Sequence, residues 1–229
     1  MPFSGIKEAI LGPQLAVHQQ DYPAAVGAGI ITMLEWFLQT LETYDRNTFS
    51  FVQTTLRNPL CDFLMPLVSD KWNWVIPVMG VCLYSLAKDK RRSGWLLLWS
   101  VLLVLLVDAV ATSLKGEFLR LRPQQTLSEM DMLIARPASS SFPSNHAANS
   151  FALATLLTFY YPKMAGVFFA AAAVVGFSRI YIGDHYPLDV LAGALLGAAF
   201  AVAFAVIIQA LPSRWREPLR KSRTKSVSR

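Results

Sequence analysis

The sequence predicts an all-α fold: a polytopic membrane helix bundle with five or six transmembrane helices and one interfacial amphipathic helix. Hydrophobic residues make up 54% of the 229 residues and charged residues only 16%, whereas soluble domains have roughly 45–50% and 25%. The apolar residues are also gathered in long runs, and a run of about 20 residues spans the hydrocarbon core of a bilayer. Lipid is therefore the predicted solvent for most of the chain.

Five apolar runs are the predicted spans. The strongest cover residues 94–114, 164–178 and 188–211, and two shorter ones cover 72–87 and 147–161. A sixth run, residues 22–41, is left open because Glu35 interrupts it and a carboxylate is costly near the centre of a bilayer. Residues 45–56 form a broad apolar face with Phe49, Phe51, Val52 and Leu56. This pattern predicts an amphipathic helix lying in the membrane interface, ended by Asn58 and Pro59.

The chain is divided into a polar N-terminal segment (1–21), one membrane domain (22–212) and a basic tail (213–229). The tail has seven basic residues and one acidic residue, so it accounts for the whole formal net charge of +6. No nucleic-acid recognition module accompanies it. We therefore expect a solvated cytoplasmic tail, with no nucleic acid as a partner.

A second basic cluster, residues 88–92, lies between two predicted spans. Short loops rich in Lys and Arg stay in the cytoplasm, so this cluster and the tail predict the same orientation. Residues 115–145 and 178–189 then face the extracytoplasmic side. Four cations in the exported loops oppose the positive-inside trend, namely Lys115, Arg120, Arg122 and Arg136. Their presence outside calls for a functional reason.

Three polar clusters lie on the predicted extracytoplasmic side, at residues 115–123, 141–146 and 178–189. A phosphoryl group needs fixed donors around its charged oxygens, and Lys115, Arg122 and Arg179 can supply them. Ser144 and the amides of Asn145 and His146 start a predicted helix, which is a ready anion site.

The two histidines in these clusters, His146 and His185, are suited to catalysis of phosphoryl transfer. One imidazole can attack phosphorus while the other protonates the leaving oxygen. Asp189 follows His185 by four residues, about one helical turn, so its carboxylate can hold the attacking ring in one tautomer. The combination of cations, histidines and carboxylate predicts a phosphatase.

At these residues the chain resembles the type 2 phosphatidic acid phosphatase superfamily, whose signature is Lys-x6-Arg-Pro, Pro-Ser-Gly-His and Ser-Arg-x5-His-x3-Asp. The corresponding segments run from Lys115 to Pro123, from Pro143 to His146 and from Ser178 to Asp189. Asn145 replaces the usual glycine, and this position is expected to act through its backbone amide.

The resemblance implies a role for each signature residue. His185 is the nucleophile that forms a phosphohistidine, Asp189 orients it, and His146 is the general acid. The phosphate-binding residues are Lys115, Arg122, Ser144, Asn145 and Arg179. No metal and no other cofactor is expected.

Within the superfamily, the short chain and the segment from Ser178 to Asp189 look like bacterial undecaprenyl pyrophosphate phosphatases. This resemblance implies a bacterial cytoplasmic (inner) membrane and an active site facing the periplasm or the cell exterior. Phosphatidic acid, phosphatidylglycerophosphate and the 1-phosphate of lipid A stay open as substrates of the membrane lipid phosphate class, as does the oligomeric state. Vanadium-dependent haloperoxidases share the signature in a soluble fold, so the predicted spans argue against them. A non-catalytic lipid phosphate binding or transport protein would not need both histidines and the aspartate.

Asp108, Gly193 and Gly197 lie outside the signature. Asp108 precedes Lys115 by seven residues, about two turns deeper in the membrane, and we expect it to be paired in the interior rather than catalytic. Gly193 and Gly197 form a small-xxx-small face, which predicts close helix packing within the monomer.

Overall fold

The computed structural model describes residues 26–126 and 140–212, and all regular structure in these ranges is helical. The α-helices are α1 (Val26–Thr55), α2 (Pro59–Ser69), α3 (Val75–Lys88), α4 (Lys90–Phe118), α5 (Pro123–Thr126), α6 (Asn145–Tyr160), α7 (Ala165–Tyr181) and α8 (Pro187–Ala210). Short 3₁₀ turns precede α3 and α7. The predicted N-terminal segment 1–21 and basic tail 213–229 lie outside the described ranges, as does Arg136.

Three of the five predicted spans are long and apolar enough to cross a membrane. They are Lys90–Gln125, Pro162–Tyr181 and Pro187–Ala210. The helices found at the two shorter runs, α3 and α6, have 14 and 16 residues, below the roughly 20 residues that span a bilayer unaided. The all-helical membrane architecture is confirmed, and the total of five or six spans stays a prediction.

The predicted interfacial helix at 45–56 is not a separate element, because α1 runs without a break from Val26 to Thr55. Arg46 donates to Glu42 at 2.7 Å, an i,i+4 pair that spans the expected break. Of its apolar face, Phe49 and Val52 are buried, whereas Phe51 is exposed. The apolar stripe therefore packs in part against the protein. The hydrophobic pattern alone could not distinguish this packing from burial in the membrane interface.

Helix α2 was not predicted. Asn58 and Pro59 end α1, as expected, but they also begin the next helix: the Asn58 side chain accepts a hydrogen bond of 2.9 Å from the backbone N–H of Cys61. Asparagine at the N-cap and proline at the first helical position are both favoured at a helix start. The Asn58–Pro59 dipeptide was therefore the sequence signal for the start of α2. Helix α2 matters because it carries Ser69 to the site described below.

Helix α6 lies at the centre of the fold and packs against α4, α7 and α8. Its side facing α8 is built of buried alanines, including Ala148 and Ala152. Opposite them, a Cβ added to Gly193 or Gly197 would overlap the backbone oxygen of Ser144 or Ala148. The small-xxx-small face thus packs within the monomer, as predicted, and it holds the start of α6 directly against α8.

Candidate active site

The site forms where the C-terminal ends of α4 and α7 meet the N-terminal ends of α6 and α8. Leu119 adopts a left-handed conformation with φ of 46°, which ends α4 just after Lys115. Gly183, with φ of 82°, turns the chain between α7 and α8, a backbone conformation that glycine adopts at little cost. The three sequence clusters are therefore brought to one end of the bundle.

The start of α6 is fastened to α8 by backbone and capping interactions. Ser144 is fully buried and is the N-cap, and its Oγ lies 3.5 Å from the N–H of Ala147. The Ser144 N–H donates to the backbone oxygen of Asp189 at 3.0 Å. His146 lies in the first turn of α6 and is half-buried. The helix N-terminus, with its partial positive charge, thus lies beside the first turn of α8, which carries Asp189.

His185 and Asp189 are buried side by side, 2% and 0% exposed. Nδ1 of the imidazole lies 3.7 Å from Oδ2 of Asp189, longer than a hydrogen bond, and Nδ1 has no hydrogen-bond acceptor among the described residues. Its nearest carboxylate is nevertheless Asp189. A small approach of the two groups would place the proton on Nδ1 and leave the lone pair on Nε2.

Burial lowers the pKa of His185 from 6.5 to about 4, because the charged imidazolium loses its solvent. The Asp189 carboxylate opposes this shift, whereas the positive charges of Arg179 and Lys115 add to it. The imidazole is therefore neutral at pH 7, which is the form that can act as a nucleophile.

Arg120 links this pair to helix α1. Its guanidinium donates to Oδ1 of Asp189 at 2.6 Å and to Oδ2 of Asp45 at 2.5 Å. It also lies 4.4 Å from the centre of the Tyr186 ring. The second oxygen of Asp45 accepts from the N–H of Leu188 at 2.7 Å. The Tyr186 N–H donates to Oδ2 of Asp189 at 2.8 Å, so each carboxylate oxygen of Asp189 accepts one hydrogen bond and the orientation of the carboxylate is held from two sides.

Arg122 and Arg179 share one partner, the buried carboxylate of Asp184. Arg122 pairs with Oδ1 of Asp184, and Arg179 pairs with Oδ2. Arg179 is 1% exposed and also donates to the hydroxyl of Ser69 on α2. Oδ2 of Asp184 lies 3.9 Å from Nε2 of His185. Both predicted phosphate-binding arginines thus converge in front of the nitrogen that is expected to attack.

Lys115 is half-buried in the last turn of α4, and its Nζ donates to the backbone oxygen of Ser140 at 2.9 Å. Its positive charge contributes to the lowered pKa of His185. Ser140 directly precedes the 141–146 cluster. The lysine therefore connects the first signature segment to the second.

Asn145, the departure from the family signature, uses its side chain to contact α4. Its Nδ2 donates to Oδ1 of Asp108 at 2.9 Å and to Thr112 at 3.0 Å. Asn149 donates to the same carboxylate oxygen at 3.1 Å. Asp108 is thus hydrogen-bonded in the interior, as predicted. The Asn145 side chain is engaged with α4, which leaves its backbone at the start of α6.

Reasoning from sequence missed four site residues, namely Asp45, Ser69, Arg120 and Asp184. The sequence marks Arg120 only as a cation in an exported loop, and Asp184 lies in the unspecified part of the third signature segment. The available signals were the charges of Arg120 and Asp184, because both residues lie in loops whose other charged residues are explained by phosphate binding. Nothing in the sequence joins Asp45 to its two partners, Arg120 and Leu188, which lie 75 and 143 positions away. Within the described ranges, no group of three or more His, Cys, Asp or Glu side chains is placed to hold a metal ion.

Comparison with known proteins shows which family the chain belongs to. A sequence profile of the PAP2 superfamily matches residues 94–213, so the chain belongs to the PAP2 superfamily. The match contains all three signature segments, most of α4, and helices α6, α7 and α8. The chain is accordingly a multi-pass membrane protein of a phosphatase family.

Curated relatives include lipid phosphatases. The chain is 31% identical to a lipid A 4'-phosphatase of Bacteroides thetaiotaomicron, over 69% of this chain and 75% of the relative. It is 33% identical to an undecaprenyl-diphosphatase of Sulfolobus acidocaldarius, over 54% and 58%. It is 30% identical to the bacitracin transport permease protein BcrC of Bacillus licheniformis, over 54% and 61%, so the matched region spans about three fifths of these last two relatives.

Two solved structures share the architecture. LpxE of Aquifex aeolicus aligns with a TM-score of 0.56 and 28% identity, covering 69% of this chain and 92% of that structure. A transmembrane PAP2-type phosphatidylglycerolphosphate phosphatase of Bacillus subtilis aligns with a TM-score of 0.58 and 21% identity, covering 76% and 89%. The second likeness concerns the fold alone. Taken with the relatives, the chain is a membrane lipid phosphatase of this superfamily.

Proposed function

We propose that the chain is a metal-independent lipid phosphate phosphatase that works through a phosphohistidine on His185, with undecaprenyl pyrophosphate as its substrate. The observation that carries the mechanism is the position of His185. Its imidazole is buried and neutral, with Nδ1 toward Asp189 and Nε2 toward the place where Arg122 and Arg179 converge. A phosphoryl group held by both arginines would meet the lone pair of Nε2.

The reaction proceeds in two steps. Nε2 of His185 attacks phosphorus and the bond to the leaving oxygen breaks, while His146 donates a proton to that oxygen. Asp189 stabilises the ring as it becomes positively charged. Water then attacks the phosphohistidine, His146 takes its proton, and inorganic phosphate leaves with His185 restored. Lys115, Arg122, Arg179, Ser144 and the amides at Asn145 and His146 bind the charged oxygens throughout.

Undecaprenyl pyrophosphate is favoured among the candidate substrates by the third signature segment and by similarity to an undecaprenyl-diphosphatase. Relatives also include lipid A phosphatases, so the lipid A phosphates are the main competing substrates. With a pyrophosphate substrate, the leaving group is the phosphate that stays on the lipid.

We place the site on the extracytoplasmic side of a bacterial inner membrane, because residues 88–92 and the tail are basic. In a variant without Cys61 and Cys82, a cysteine at Gly116 should react with an impermeant thiol reagent in intact cells. A cysteine at Lys163, at the opposite end of the bundle, should react only after the cells are opened. The reverse pattern would invert the proposed orientation.

The decisive experiment is phosphate release by the full chain in detergent micelles containing EDTA. The panel is undecaprenyl pyrophosphate, phosphatidic acid, phosphatidylglycerophosphate and lipid A carrying either phosphate. We expect the highest kcat/KM with undecaprenyl pyrophosphate and inhibition by vanadate. A higher value with another lipid would reassign the substrate. Activity that is lost on chelation and restored by one divalent ion would reject the metal-independent mechanism, and binding without release would indicate a non-catalytic protein.

A further inference from the structure

The carboxylate of Asp184 lies where the proposed phosphate should lie. Its two oxygens pair separately with Arg122 and Arg179, and Oδ2 is 3.9 Å from Nε2 of His185. Asp184 is 2% exposed. A transferable phosphoryl group needs the same three neighbours: both guanidinium groups and the attacking nitrogen. A phosphate and this carboxylate therefore compete for one position.

The competition depends on charge. A carboxylate carries one negative charge, and so does the phosphodiester of an ordinary phospholipid headgroup. A terminal phosphate carries about −1.5 to −2 at pH 7. Exchange of Asp184 for a phosphodiester gains no Coulomb energy from the two arginines, whereas exchange for a terminal phosphate does. In a low-dielectric site, one additional charge has a large effect on affinity.

We propose that Asp184 is a specificity-determining residue, an internal competitor that admits dianionic terminal phosphates and excludes monoanionic phosphodiesters. The proposal rests on the proposed function, since it concerns the selectivity of the same site. Such selection is useful in a membrane, where phosphodiester headgroups surround the site in large excess. The site discriminates because replacing the Asp184 carboxylate with a phosphodiester is unfavourable, and not because a terminal phosphate makes an additional contact.

Asp184→Asn is the test variant, because it keeps the shape of the side chain and removes its charge. Asp89→Asn is the matched control: Asp89 is exposed and caps α4 at the opposite end of the bundle, and asparagine is an equally good N-cap. The full chain is assayed in nonionic detergent with whichever lipid phosphate of the panel gives the highest rate. Orthovanadate and phosphatidylglycerol are the inhibitors, with diacylglycerol at the same mole fraction as an uncharged control.

With substrate kept well below KM, we expect the inhibition constant of phosphatidylglycerol to be about tenfold lower for the neutral variant than for the wild type, with that of vanadate also lowered. Asp184→Glu, which restores the charge, should restore resistance to phosphatidylglycerol. The control should behave as the wild type. Unchanged or weaker inhibition of Asp184→Asn by phosphatidylglycerol would reject the proposal.

Folding and function are separated by two further measurements. If Asp184→Asn does not fold, Asp184→Ser is assayed in the same way. If neither neutral variant folds, the carboxylate is a required structural partner of the arginines, and the proposal is rejected. If the wild type neither releases phosphate from any lipid of the panel nor responds to vanadate, the proposed function itself fails. If the wild type is active and the neutral variant resists phosphatidylglycerol as the wild type does, only the proposed role of Asp184 is rejected.

Discussion

Nη1 of Arg120 donates a hydrogen bond of 2.6 Å to Oδ1 of Asp189, the carboxylate that faces the proposed nucleophile His185. The other end of the same guanidinium is held by Asp45 of α1 at 2.5 Å. Arg120 thus connects an element outside the sequence signature to the residue that orients the histidine. Such partners of a functional side chain often matter as much as the side chain itself.

Arg120→Lys should lower kcat about 10- to 100-fold with little change in KM. A lysine keeps the charge but cannot bridge Asp45 and Asp189 with a planar fork, so the carboxylate loses its orientation while phosphate binding is left intact. Steady-state kinetics with the preferred lipid measures the two constants. Arg91→Lys, an exposed change at the far end of α4, is the control. An increase in KM alone would show that Arg120 binds substrate instead.

The two histidines should respond differently to the leaving group. His185→Ala removes the covalent intermediate, so it should be inactive on every substrate. His146→Ala should retain much more activity on an aryl phosphate than on a lipid phosphomonoester, because an aryl oxide leaves without a proton. Rates with both substrates, on variants shown to be folded, provide the comparison. If His185→Ala is the variant rescued by the better leaving group, the two roles are exchanged.

The imidazole of His185 should stay neutral well below pH 6.5, because its pKa is lowered to about 4. Histidine-labelled protein, studied by NMR in micelles, should show one imidazole signal that does not titrate between about pH 5 and 8. His185→Gln identifies that signal by its loss. The unfolded chain takes up a proton near pH 6.5 and the folded chain does not, so stability should fall as the pH drops from 6.5 toward 4. A His185 signal that titrates near pH 6.5 would contradict this.

Gly197→Ala should destabilise the fold by about 1–3 kcal/mol, because the added Cβ overlaps the backbone of Ala148 and forces α6 away from α8. Gly94→Ala is the matched control. A Cβ at Gly94 meets nothing within 4 Å, so helix propensity should stabilise that variant by up to about 1 kcal/mol. Thermal unfolding in one detergent compares the two variants with the wild type. Equal stability of both would show that the helices do not need this close approach.

Much of the fold could be predicted because each element leaves a local trace. The apolar runs predicted α3, α4, α6, α7 and α8 nearly in register, since a helix in lipid satisfies its own backbone hydrogen bonds. The error at α1 has the same origin. An apolar face shows that residues 45–56 are amphipathic, but it does not show whether lipid or protein covers Phe49. Helix α2 was missed because a helix start directly followed a helix stop.

By itself, the sequence determined the helical membrane class and the three signature segments, because hydropathy and short-range spacing are properties of consecutive residues. The pair of His185 and Asp189 is a spacing of this kind, and the structure places the two side by side. Only the tertiary structure decided how the charges are paired. Arg120 meets Asp45 and Asp189, whereas Arg122, two residues later, meets Asp184. These choices depend on where α4 ends and how α1, α6 and α8 pack around it, and such long-range contacts leave no periodic trace in the chain.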